Sequence, residues 1–141
     1  TVRCDKWTIS LLEETLRSMQ KESIKENLTL SLLMANRKKI LTRTEKFLKL
    51  IPRRIHNNYK ISIEETLVEA GSGTLPAANF ESIALRITSN KYSSSVLSER
   101  FRKASYPVVG FIRNNGFYLD FKSIIPFQEK LLLPVISEVL D

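Results

Sequence analysis

The sequence predicts an α+β fold, in which a helical arm is followed by a small antiparallel sheet with helices on one face. Three observations carry that reading. Apolar residues recur at helical spacing as far as Pro52, and from Tyr59 onward the period changes to strict alternation. Between two alternating runs, Asn114-Asn115-Gly116 supplies residues that tolerate the positive φ of a tight hairpin turn.

Taken in order, Asp5 or Thr8 can cap a first helix over about residues 6–21, whose apolar face is Ile9, Leu12, Leu16 and Met19. A polar break from Lys21 to Asn27 precedes a short apolar segment, Leu28 to Met34, read as helical. Asn36 can cap a longer helix with Ile40, Leu41, Thr44, Phe47, Leu48 and Ile51 on one face; Pro52 ends it, lacking an N–H and disfavouring helix at the preceding residue. Tyr59, Ile61 and Ile63 alternate with polar residues as one strand, and Ile83, Leu85 and Ile87 as a second. Residues 93–105 begin with serine caps and place Val96, Leu97, Phe101 and Ala104 on one helical face. The hairpin runs from Val109 and Phe111 through the Asn-Asn-Gly turn to Phe117, Leu119 and Phe121. Pro126 opens a last helix, Phe127 to Leu140, with Pro134 as a candidate bend. The expected division is an arm over residues 1–58 and a β-β-α-β-β-α domain over residues 59–141.

Composition narrows the function classes. The 141 residues hold one cysteine and one histidine, so no internal disulfide and no metal-ligand cluster is expected. Apolar runs are too short for a membrane span, and a cytoplasmic setting is the simplest expectation. The chain opens TVRCDKW, without Met and directly on a helix signal, as expected of a piece of a longer protein. A net charge of +7 favours polyanionic partners. Eight cations between Arg37 and Arg54 are opposed only by Glu45, and Lys39, Arg43 and Lys46 follow one another at i, i+4 and i+7 as a basic stripe, expected opposite the apolar face. They are the candidate nucleic-acid contacts; a merely solvated helix face is the alternative.

No catalytic constellation emerges from the residues alone. Gly71-Ser72-Gly73-Thr74-Leu75-Pro76 pairs two glycines around a serine, but a strand follows instead of a helix and no Gly-Lys-Ser/Thr is present. It is therefore a strand connection and not a phosphate-cradling loop. His56 sits in a polar loop, Glu13-Glu14 and Glu64-Glu65 are adjacent surface carboxylates, and Cys4 lies beside Arg3 and Lys6 as a bystander thiol.

The order of motifs carries more. Arg3-Cys4-Asp5-Lys6 followed by Thr8-Ile9, Leu12-Glu13 and Thr15-Leu16, then Gly71 to Pro76, then Pro107-Val108-Val109-Gly110-Phe111-Ile112 and Leu119-Asp120-Phe121-Lys122, occur in the sequence and spacing of one family. The chain resembles the C-terminal part of bacterial selenocysteine synthase, L-seryl-tRNA(Sec) selenium transferase, a fold-type-I pyridoxal-phosphate enzyme. Cys4, Trp7 and Phe111-Ile112-Arg113 depart from the family pattern. The resemblance implies a transferase that converts seryl-tRNA(Sec) to selenocysteinyl-tRNA(Sec) with a selenium donor, using pyridoxal 5'-phosphate as electron sink. It implies further that the Schiff-base lysine lies upstream of this chain, so that the fragment is not itself catalytic and binds no cofactor. Of the paired arginines that hold the selenium donor in the family, the second matches Arg3, a guanidinium suited to an oxyanion; a surface ion pair with Asp5 is the alternative reading. tRNA(Sec) and a homo-oligomeric ring of dimers are the implied partners, with no membrane and no metal. Two alternatives stay open: a related pyridoxal-phosphate enzyme acting on a small amino acid or sugar acid, and a non-catalytic basic RNA-binding domain.

Overall fold

A computed structural model describes residues 3–21, 27–69 and 79–141. Two compact units are present, residues 1–34 and residues 35–141. In the first, α1 (Lys6–Gln20) is capped by Asp5, whose carboxylate accepts from the Thr8 N–H at 2.9 Å and the Thr8 hydroxyl at 2.7 Å. The helix α2 (Leu28–Leu33) is capped by Asn27, which accepts from the Leu30 N–H at 3.0 Å. The apolar face expected on α1 is present as Ile9, Leu12, Leu16 and Met19, and all four are exposed.

The second unit begins with α3 (Arg37–Leu50), started by the Asn36 cap and stopped before Pro52. A short 3-10 turn, Arg53–Asn57, leads into β1 (Tyr59–Glu69). Then come β2 (Asn79–Ser89), α4 (Ser94–Arg102), β3 (Phe111–Arg113), β4 (Gly116–Asp120) and α5 (Glu129–Leu140). The strands form one antiparallel sheet in the order β1-β2-β4-β3. The α+β class and the β-β-α-β-β-α order expected from the sequence are thus observed. The 71–76 glycine loop lies outside the described residues.

Period-two alternation sorts the two faces of the sheet. Leu85 and Ile87 of β2 pair across with Ile63 and Ile61 of β1 and with Leu119 and Phe117 of β4, and Ile83 lies on the same face opposite Glu65. This face meets Ile40 and Phe47 of α3, Ile51 and Ile55 of the segment after it, Leu97 and Phe101 of α4, and Leu132, Val135, Ile136, Val139 and Leu140 of α5 in a single core. Two aromatic pairs knit the layers: Phe47 meets Phe121 edge-on at 5.3 Å, and Phe101 stacks on Phe117 at 4.8 Å. Because α3 and the turn after it supply this core, they share a compact unit with the strands.

The hairpin register follows from its turn. Asn114 and Asn115 take φ of 46° and 54°, so a two-residue connection pairs Arg113 with Gly116. Phe111 is thereby placed opposite Tyr118 and not opposite Phe117, and it stacks on the Tyr118 ring at 4.9 Å on the helix-free face. Gly110 must be glycine for a different reason: a Cβ there would come within 2.2 Å of the Tyr118 carbonyl oxygen. The Leu119-Asp120-Phe121-Lys122 motif is also explained structurally. Leu119 and Phe121 fill the core, while Asp120 Oδ1 accepts from the Ser82 hydroxyl (2.9 Å) and from the N–H groups of Lys122 (2.8 Å) and Ser123 (3.2 Å). That carboxylate closes the turn after β4. The last helix, α5, runs on through Pro134.

Candidate functional site

The basic stripe on α3 is built by the helix period. At about 100° per residue, the buried positions Ile40, Thr44, Phe47 and Ile51 centre roughly 110° round the helix from Lys39. Lys39, Arg43 and Lys46 fall within about 60° of one another, so they do share a strip. That strip flanks the apolar face, however, and does not lie opposite it as expected. Arg43, nearest the core side, is drawn inward. Its Nε donates to Glu129 Oε1 at 2.5 Å, and Nη2 donates to the carbonyl oxygens of Ile124 (2.7 Å) and Phe121 (3.2 Å). The two charged side chains are only 23% and 21% exposed. Arg43 therefore ties α3 to the end of β4 and the start of α5.

Lys39 and Lys46 are exposed and have no ion-pair partner among the described residues. Lys38, Lys49 and Arg53 are likewise exposed, while Arg37 pairs with Glu65 and Arg54 with Asp141. The helix thus presents a cationic surface from which Arg37 and Arg43 are subtracted.

Arg3 is exposed just ahead of α1. Both oxygens of Asp5 are engaged by Thr8, and those hydrogen bonds hold the Asp5 carboxyl below its usual value. No ion pair joins Arg3 to Asp5 among the described residues, so the guanidinium faces solvent. Cys4 is free and exposed, and His56 is exposed in the turn after α3. The carboxylates of each adjacent pair diverge: Glu13 pairs with Arg17, while Glu64 accepts from the Tyr118 hydroxyl at 2.9 Å on the helix-free face and Glu65 pairs with Arg37.

The described residues do not fit a pyridoxal-phosphate site. Such a site needs an enclosed lysine beside donors for a phosphate. The one buried lysine among the described residues, Lys122, lies 5.8 Å from the Phe80 ring centroid and lines none of the described grooves; the lysines that do, Lys60 and Lys91, are exposed at open rims. Among the described residues no group of His, Cys, Asp or Glu could hold a metal ion, and no helix is long and apolar enough to cross a membrane.

Lys60 and Lys91 give no signal as a pair in the sequence because 31 positions separate them. The pairing of Tyr59 with Ser89 and of Lys60 with Thr88 brings them to one end of the sheet. The available signal was the equal alternation of the two runs, which sets the antiparallel register.

Comparison with known proteins agrees with the motif order. A family model described as SelA: L-seryl-tRNA selenium transferase matches residues 1–125. The L-seryl-tRNA(Sec) selenium transferase of Mannheimia succiniciproducens is 31% identical over 134 residues, 93% of this chain and 29% of that protein. The protein of that name from Actinobacillus pleuropneumoniae serotype 5b is 29% identical over 133 residues, covering 92% and 29%. The one from Clostridium perfringens is 27% identical over 140 residues, covering 98% and 30%. The chain therefore spans less than a third of the length of the curated relatives it matches. With the family model extending over residues 1–125 of 141, the chain belongs to the L-seryl-tRNA selenium transferase family.

Proposed function

We propose that this chain is the C-terminal portion of a pyridoxal-phosphate-dependent transferase that makes selenocysteinyl-tRNA(Sec) from seryl-tRNA(Sec) and an oxyanionic selenium donor. The observation that carries the reading is the family match over residues 1–125, joined to relatives of that name. Among the described residues no nucleophile and base converge, and the one buried lysine, Lys122, lies 5.8 Å from the Phe80 ring centroid and lines none of the described grooves, which supports placing the chemistry and the cofactor in an upstream core. Residues 1–34, ahead of the unit that holds α3 and the strands, would link that core to it. The parent would be a cytoplasmic homo-oligomer, a ring of dimers, and the exposed apolar face of α1 suits a subunit contact.

Two roles fall to this chain. Arg3, exposed and unpaired among the described residues, would hold an oxyanion of the donor at the mouth of the active site. The α3 stripe would attract tRNA phosphates through Lys39 and Lys46, with Arg43 holding the helix that presents them.

A steady-state assay of the full-length parent tests both roles. Arg3→Ala is expected to raise KM for the selenium donor at least tenfold while leaving KM for seryl-tRNA(Sec) unchanged. Lys39→Gln/Lys46→Gln is expected to do the reverse. Unchanged kinetics for Arg3→Ala would remove it from the donor site, and an unaltered KM for tRNA would leave the stripe as solvated surface.

A further inference from the structure

At the Lys60 end of the β1–β2 hairpin, two grooves of about 440 and 240 Å³ share the residues Asn57, Asn58, Tyr59, Ser89 and Asn90. The first adds His56, Lys60 and Thr88 to its walls, and the second adds Lys91, Tyr92, Arg100 and Asp141. None of these residues belongs to the α3 stripe. Asp141 is the one carboxylate among the lining residues of either groove, and Arg54 already pairs with it. Lys60 and His56 are exposed without an ion-pair partner among the described residues, and Lys91 Nζ lies 5.2 Å from the Tyr92 ring centroid.

The walls are preformed. The Ser89 hydroxyl accepts from the Lys91 N–H at 3.1 Å, which fixes the turn carrying Lys91 and Tyr92. The Arg100 guanidinium lies over the Tyr92 ring at 4.9 Å and donates to the Tyr59 hydroxyl at 3.4 Å. The amides of Asn57, Asn58 and Asn90 make no side-chain hydrogen bond among the described residues, and so are free donors beside the cations.

We propose that this double groove binds the phosphodiester backbone of RNA, at a surface separate from the α3 stripe. Unpaired ammonium groups with free amide donors suit phosphate oxygens. The cations are strung along two joined, open grooves and do not converge on one point, which suits successive phosphates of a chain better than a single free anion. Two cations already lie over the Tyr92 ring, at 5.2 and 4.9 Å from its centroid, and the Tyr59 ring is buried, so base stacking is not the basis of the site and recognition should be indifferent to sequence. The choice of RNA as the polyanion rests on the proposed function; the groove itself rests on its lining.

The test is a fluorescence-anisotropy titration of the 141-residue chain with an end-labelled tRNA transcript over a series of potassium chloride concentrations. For every phosphate that a variant leaves unneutralised, the slope of log K against log salt is expected to become shallower by about 0.7–0.9. Lys60→Gln/Lys91→Gln should therefore lower the slope by roughly 1.5 and weaken binding about tenfold near 0.1 M salt. Arg102→Gln/Lys130→Gln removes the same charge from positions outside both grooves and should change the slope by less than about 0.5. An unchanged slope for the groove pair, or an equal loss in the control pair, would overturn the proposal; the second result would mean that net charge alone attracts the RNA. Lys39→Gln/Lys46→Gln, measured alongside, keeps the two surfaces distinct, since either pair can lose its effect without the other. A urea midpoint for each variant within about 0.3 M of the parent chain confirms that surface substitutions left the fold intact.

Discussion

Arg43 shows how one side chain can carry the spacing of a binding stripe and do another job. From the sequence it is the middle member of a row of three cations; in the fold it reaches Glu129 and two carbonyl oxygens across the start of α5. Truncation would leave those acceptors half-buried and unpaired, a loss that outweighs the small worth of an exposed ion pair. Arg43→Ala is expected to cost about 2 kcal/mol in urea unfolding, whereas Lys46→Ala, on the exposed side of the same helix, should stay within about 0.5 kcal/mol. A neutral Arg43→Ala would mean that the contacts to Glu129 and Ile124 add nothing net. The sequence could not show this. The stripe is a property of one helix, but the partner that turns Arg43 inward lies 86 positions away. Arg3 and Lys39 are simpler cases, local in sequence and exposed in the structure.

At the scale of elements, the caps and alternations were legible because their causes are local. Asn36, Pro52 and Ser93 set helix boundaries through bonds made or denied within a few residues. The Asn-Asn turn fixes its own register through two positive φ values. What alternation could not reveal is the chemistry of the helix-free face, where side chains from three strands meet. There Tyr118 of β4 reaches across β2 to Glu64 of β1, and Arg86 of β2 lies 3.4 Å from the same carboxylate. Burial, with the hydrogen bond to Glu64 added, holds the Tyr118 phenol above its usual value of 10.0. The folded chain thus keeps this proton more tightly than the unfolded chain does. The stability it contributes is complete below about pH 10 and is lost as pH rises through the raised folded value. Melting temperatures measured from pH 8 upward should fall on the alkaline side, and Tyr118→Phe should flatten that fall. An identical alkaline limb in the variant would remove Tyr118 as its source.

For the molecule as a whole, the division of labour follows from which surfaces are finished. The 35–141 unit encloses a core of three helices and one sheet face, while α1 displays an apolar stripe with no buried residue. Cationic surface is left on α3 and at the hairpin end, and nowhere among the described residues do catalytic groups converge. On the function proposed above, this portion holds substrate for chemistry done elsewhere in a longer protein. The most direct test is the formation of labelled selenocysteinyl-tRNA(Sec) from seryl-tRNA(Sec) and a labelled selenium donor. The full-length parent should form product with its cofactor bound, and the 141-residue chain alone should bind the tRNA and form none. A cofactor-replete parent that leaves seryl-tRNA(Sec) unconverted, or product formed by the isolated chain, would contradict this account.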